Sequence, residues 1–132
     1  MRALLDVNVL IALLDPDHSL HVPATSWFSK HAHNGCVRVM SGPNYPGALP
    51  VGAVVERLAQ AAKTSLHEFW PDNLSLLDSA VLDPSRIHGP RQITDLYLLA
   101  LAVKHRGAFA TFDRLISTEA VTGASKGHLI RL

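Results

Sequence analysis

A layered α/β domain with a mostly parallel sheet is predicted by three observations. Short apolar runs ending in an acid alternate with helical periods, one helix is apolar nearly all round, and turn residues punctuate every junction. The chain has 132 residues with net charge +1, and 48% of them are hydrophobic against 17% charged. That length supplies one core, so residues 1–132 are expected to form a single domain. The composition argues against intrinsic disorder.

The elements follow in order. Arg2 to Leu5 reads as a strand stopping at Asp6, and Val7, Leu10, Ile11 and Leu14 then share one helical face. Asp15-Pro16-Asp17 ends that helix, because a proline disfavours helical geometry in the residue before it. A second helix carries Ala24, Trp27 and Phe28 up to the polar stretch Lys30 to Gly35. Cys36, Val37, Val39 and Met40 suggest a short apolar helix or strand, closed by the turn residues Ser41 to Gly47. Val51 to Lys63 reads as a helix and Leu74 to Leu77 as a strand, followed by a loop through Asp83-Pro84 and Gly89-Pro90. The segment from about Thr94 to Arg106 is nearly all apolar, from Leu96 to Val103, and must be a buried helix, stopped by Gly107. Ala108 to Phe112 is a strand with Asp113 at its carboxyl end, and His128 to Arg131 supplies a last edge strand.

Several classes are excluded or disfavoured. The apolar runs are shorter than the roughly 20 residues a membrane helix needs. The amino terminus meets Asp6 before a secretory leader could form, so a cytoplasmic location is expected. A lone Cys36 gives no internal disulfide and suits a reducing compartment. The near-neutral charge lacks the basic excess of a protein that holds nucleic acid by electrostatics alone, although nucleic acid remains open as a substrate. The histidines are scattered, with no pair at metal-binding helical spacing.

Chemistry concentrates in three acids. Asp6 ends the first strand, Asp95 opens the buried helix, and Asp113 ends the strand after it. Ligands meet open α/β sheets at the carboxyl ends of strands, so a parallel sheet would bring the three together. Each also has a structural reading, Asp6 and Asp95 as helix caps and Asp113 as a turn residue. Carboxylates that converge repel one another and call for a cation, and an all-oxygen set favours Mg²⁺ or Mn²⁺. Such an ion serves phosphodiester hydrolysis. Asn8 and Thr111, each two residues from one of these acids, are secondary candidates for hydrogen bonding to a carboxylate or a bound water.

The stretches Leu4 to Leu13, Ile93 to Ala102 and Ala110 to Asp113, in this order, resemble the PIN-domain proteins and more narrowly the VapC toxins of bacterial toxin–antitoxin pairs. Cys36 to Tyr45 and His88 to Gln92 match as well, so the likeness covers nearly the whole chain. The resemblance implies a PIN-like three-layer fold, a metal-dependent ribonuclease, a homodimer, and a cognate antitoxin that inserts into the active-site groove. Asp6, Asp95 and Asp113 match the family's metal-binding acids. The hydrolysis would leave 5′-phosphate and 3′-hydroxyl ends, with Arg38, Arg91 and Arg114 as phosphate contacts.

One stretch departs from the pattern. Relatives have a small apolar strand and then Thr-Glu-Asn-Gly or Thr-Gln-Asn-Gly, whereas here Asn34-Gly35 directly follows His31-Ala32-His33. About ten residues are missing, which removes the second strand and leaves a sheet edge without its partner. His33 then stands where the Glu or Gln would be, a substitute ligand for Mn²⁺ or a solvated side chain. An impaired PIN domain that binds antitoxin without turnover is the alternative to an active nuclease. A receiver or haloacid-type hydrolase fits poorly, because the first strand ends in Asp-Val-Asn and no later loop supplies the matching lysine.

Overall fold

The computed structural model describes residues 2–28, 40–65 and 67–132. Three strands, β1 (Ala3–Leu5), β2 (Ala108–Thr111) and β3 (Leu129–Arg131), form a parallel sheet in the order β1-β2-β3. The helices are α1 (Val7–Leu14), α2 (His21–Phe28), α3 (Val51–Ala62) and α4 (Ile93–Lys104). The parallel α/β architecture expected from the sequence is therefore present, with β3 at the edge as anticipated.

The strand register explains the layers. Leu4 stands opposite Phe109 and Phe109 opposite Leu129 on one face, while Leu5, Ala110 and Ile130 line up on the other. On the first face Phe109 and Leu129 pack with Leu96, Leu99, Ala100 and Ala102 of α4. On the second, Leu5 and Ala110 pack with Val9, Leu10 and Ile11 of α1, Met40, and Val54 of α3. Side chains alternate across a strand, so a sheet apolar on both faces must be covered on both. Three layers result.

The α1 helix begins at its cap Asp6 and ends at Asp15, whose backbone N–H closes on the Ile11 carbonyl. The helix expected from Thr94 to Arg106 runs from Ile93 to Lys104, one residue earlier at its start and two shorter at its end. The residue that turns the chain out of α4 is Arg106, with φ of 54° in the left-handed region, and Gly107 is needed for a different reason. A Cβ at Gly107 would lie 2.5 Å from Trp70 Cη2 and 2.8 Å from the Arg2 carbonyl oxygen. Trp70 stacks on His105 with ring centroids 4.6 Å apart, and Arg2 joins Glu68 and the His105 carbonyl across the same corner. Gly107→Ala is expected to cost about 2 kcal/mol, because the indole and a strand carbonyl must both move, and thermal melting would read this directly. An unchanged melting temperature would mean that the corner yields.

Leu74 to Leu77 corrects the expectation of a strand. The segment runs as a strap with no partner strand among the described residues, turning at Leu76–Leu77, where the Ser75 hydroxyl accepts the Leu77 N–H at 3.2 Å. Leu74 and Leu76 plug the α4-side core individually while Leu77 is 96% exposed. The stretch where the resemblance lacks a strand, with His33, Cys36 and Arg38, lies outside the described residues. Among the described residues no helix is long and apolar enough to cross a membrane.

Candidate active site

Because β1 and β2 run parallel, the residues following both strands emerge at one sheet edge. Asp6 follows β1 directly and is held by backbone and side chain alike. Its N–H donates to the Ala110 carbonyl at 2.8 Å, and its carbonyl accepts from Leu10 in the first turn of α1. The residue is 4% exposed, so its carboxylate requires partners. Oδ2 accepts the Thr111 hydroxyl at 2.6 Å, and Oδ1 lies 3.4 Å from the Asn8 amide. Cap and acid are thus one residue in two roles.

Thr111, the last residue of β2, is fully buried. Its Oγ1 also accepts the Asp113 N–H at 3.0 Å. An amide can only donate, and a hydroxyl has one hydrogen, so that hydrogen goes to Asp6 and the lone pair to Asp113. Thr111 therefore couples the two acids through a single oxygen. Asp113 is exposed, and its Oδ1 accepts the Leu115 N–H at 2.7 Å. The second carboxylate oxygen of Asp113 faces no hydrogen-bond donor among the described residues.

Asp95 stands in the first turn of α4, half-buried. Burial pushes its carboxyl up to about 6, and the charges of Asp6 and Asp113 push in the same direction. All three acids thus share one electrostatic environment. No lysine or arginine among the described residues pairs with any of them; the ion pairs are Arg2–Glu68, Arg86–Asp83 and Arg86–Glu119. Among the described residues no three histidine, cysteine, aspartate or glutamate side chains already stand close enough to hold one ion.

The secondary candidates behave differently from one another. Thr111 contacts both acids, whereas Asn8 meets Asp6 through its backbone amide, and its residue is exposed. Arg91, in the single turn Pro90–Gln92 before α4, and Arg114 are exposed. A second polar pair escaped the reading of the sequence. Tyr45 donates its hydroxyl to Asp15 Oδ2 at 2.5 Å and thereby holds that carboxyl below its usual range. The two side chains line a cavity of about 330 Å³ with Met40, Leu49 and Arg57. Asp15 carried only a helix-stop signal, and nothing local announces a partner 30 residues away.

The chain is 51% identical to Ribonuclease VapC44 of Mycobacterium tuberculosis over the whole of both chains. It is 38% identical to Ribonuclease VapC39 of the same organism, covering 93% of this chain and 96% of that one. Ribonuclease VapC29 is likewise 38% identical, with 86% of each chain covered. The alignment with VapC44 spans 142 positions against the 132 residues here, so this chain skips ten of them. That agrees in size with the stretch missing before Cys36. No family model matches the chain, and no solved structure matches it.

Proposed function

The chain belongs to the VapC ribonucleases, and from that premise we propose that it is an endoribonuclease toxin whose hydrolysis depends on Mg²⁺ or Mn²⁺ bound by Asp6, Asp95 and Asp113. The observation that carries the reading is the Thr111 hydroxyl oxygen, which joins the buried Asp6 carboxylate to the Asp113 amide at the sheet edge; Asp95, raised first by burial and then by those two charges, has no basic partner among the described residues. The donor chemistry suits a hard divalent cation, since it is all oxygen and no lysine or arginine among the described residues pairs with it, and the three carboxylates would have to draw together to hold one ion. Asp6 and Asp95 would hold the ion and Asp113 would complete the site. When bound, the ion supplies charge neutralisation at the phosphodiester and activates water.

The residues have distinct tasks. Thr111 keeps Asp6 as an acceptor in a fixed rotamer. Asp113 orients the attacking water with the oxygen not used in its own turn. Arg114 and Arg91 contact flanking phosphates. Attack at phosphorus breaks the bond to the 3′ oxygen, which leaves with a proton, giving 5′-phosphate and 3′-hydroxyl ends.

In this reading residues 1–132 act as one domain in the cytoplasm, as a homodimer, and a cognate antitoxin silences the acid site. The test is incubation of purified protein with a structured RNA pool in Mg²⁺, in Mn²⁺ and in chelator. Cleavage is expected with either ion and none with chelator. Cleavage that survives chelation would sink the metal assignment, and folded protein that never cleaves would leave an antitoxin-binding module instead.

A further inference from the structure

The turn that follows Asp113 does more than leave the strand. Leu115 is 80% exposed, while its neighbour Ile116 is buried. The Asp113 carboxylate accepts the Leu115 N–H at 2.7 Å, and Arg131 of β3 donates to the Ile116 carbonyl at 2.8 Å. The Arg114-Leu115 tip is therefore clamped on both sides, and one clamp is the site acid's own carboxylate. An exposed leucine on a loose surface loop is ordinary. Here an aliphatic side chain is held outward, two residues from an acid of the site, beside a cation that forms no ion pair among the described residues.

We propose that Leu115 is a specificity-determining residue that packs against the face of an unstacked RNA base, while Arg114 beside it takes the adjoining phosphate. The inference rests on the ribonuclease reading of the acid site. Charge favours RNA as the occupant of this tip, because a guanidinium without an ion pair among the described residues suits a phosphate, whereas a cationic protein segment would be drawn past it to the acids. The pairing of an apolar contact with a cation matches one nucleotide whose base has left the stack. A base locked in a duplex does not present its face, so the tip selects single-stranded RNA.

The experiment measures binding of a labelled single-stranded oligoribonucleotide, and of the same sequence as a duplex, by fluorescence anisotropy in Ca²⁺, which neutralises the acids. Leu115→Ser is expected to weaken single-strand binding about five-fold and leave the duplex unchanged, with Leu115→Phe restoring it. Under Mg²⁺ the Ser variant should show a raised KM with kcat unchanged, a split that a purely structural role would not give. Equal affinities for wild type and Leu115→Ser, an equal loss on both RNAs, or no binding by the wild type would overturn the proposal. So would a variant that weakens only the complex with an antitoxin. A wild type that binds in this Leu115-dependent manner yet never cleaves would refute the ribonuclease reading of the acids and leave the tip's role standing.

Discussion

Asp95→Asn is expected to abolish RNA cleavage, by a factor on the order of 10²–10³ or more, while making the metal-free protein more stable. The two effects have one cause. Asp95 is ionised at neutral pH against burial and against the charges of Asp6 and Asp113, with no ion pair among the described residues to offset them. Its pKa is about 6 in the folded chain against an ordinary 3.8, so the folded state binds more protons between these values. A raised carboxyl pKa means that the associated stability is fully present below about pH 4 and is lost as pH rises through about 6. Neutral pH is therefore the destabilised side.

The full difference between 3.8 and about 6 corresponds to about 3 kcal/mol, and solvent screening at a half-buried carboxyl reduces it to on the order of 1 kcal/mol. Replacement by Asn removes the charge at similar volume, so the variant should melt about 3 °C higher near pH 7 and show no advantage near pH 4. Paired melting curves across that range check the sign. Mg²⁺ should raise the melting temperature of the wild type and leave the variant's nearly unchanged, because the ion stabilises only a fold that binds it. A variant that melts below the wild type at every pH would contradict the electrostatic account.

Thr111→Val is expected to reduce cleavage about 10- to 100-fold, as loss of an orienting partner behind a metal ligand does elsewhere. Valine keeps the shape and deletes one oxygen that serves two acids. Asp6 Oδ2 then lies buried without its donor, and the Asp113 amide loses its acceptor. A stability loss of about 2 kcal/mol should accompany the change, since an unsatisfied buried charge costs more than an exposed one. Thr111→Ser retains the oxygen and should restore most of both properties. The diagnostic readout is the Mg²⁺ concentration giving half-maximal activity, which rises in Thr111→Val if the hydroxyl positions a ligand. An unchanged metal requirement with reduced stability alone would assign Thr111 to the core.

The sequence carried the strands and helices wherever pattern and burial coincide. Val7 to Leu14 has one apolar face, and Leu96 to Val103 within the buried helix is nearly all apolar, so their types followed from periodicity. Leu74 to Leu77 misled because its leucines are used singly, with a serine hydroxyl bending the chain between them. At the acid site, the position of Asp6, Asp95 and Asp113 at element ends was legible, and so was Thr111 as a polar residue beside one of them. The hydrogen bond from Thr111 to Asp6 joins residues 105 positions apart, and no local pattern encodes it. Asn8 was singled out for its side chain, whereas the bond it makes comes from its amide, which any residue but proline would supply.

The pairing of β1 with β2 has a consequence in time. Ala3 faces Ala108 across the ladder, so the first strand made has no neighbour until the ribosome has delivered the second. At about 5–20 residues per second that interval lasts on the order of 5–20 s. Throughout it Asp6 lacks both Thr111 and Asp113, and an unfinished chain holds at most two acids of the set of three. A nascent nuclease of this topology is harmless to the message and the ribosome that are producing it. Its activity switches on only with the last quarter of synthesis, when an inhibitor made beforehand can already be waiting.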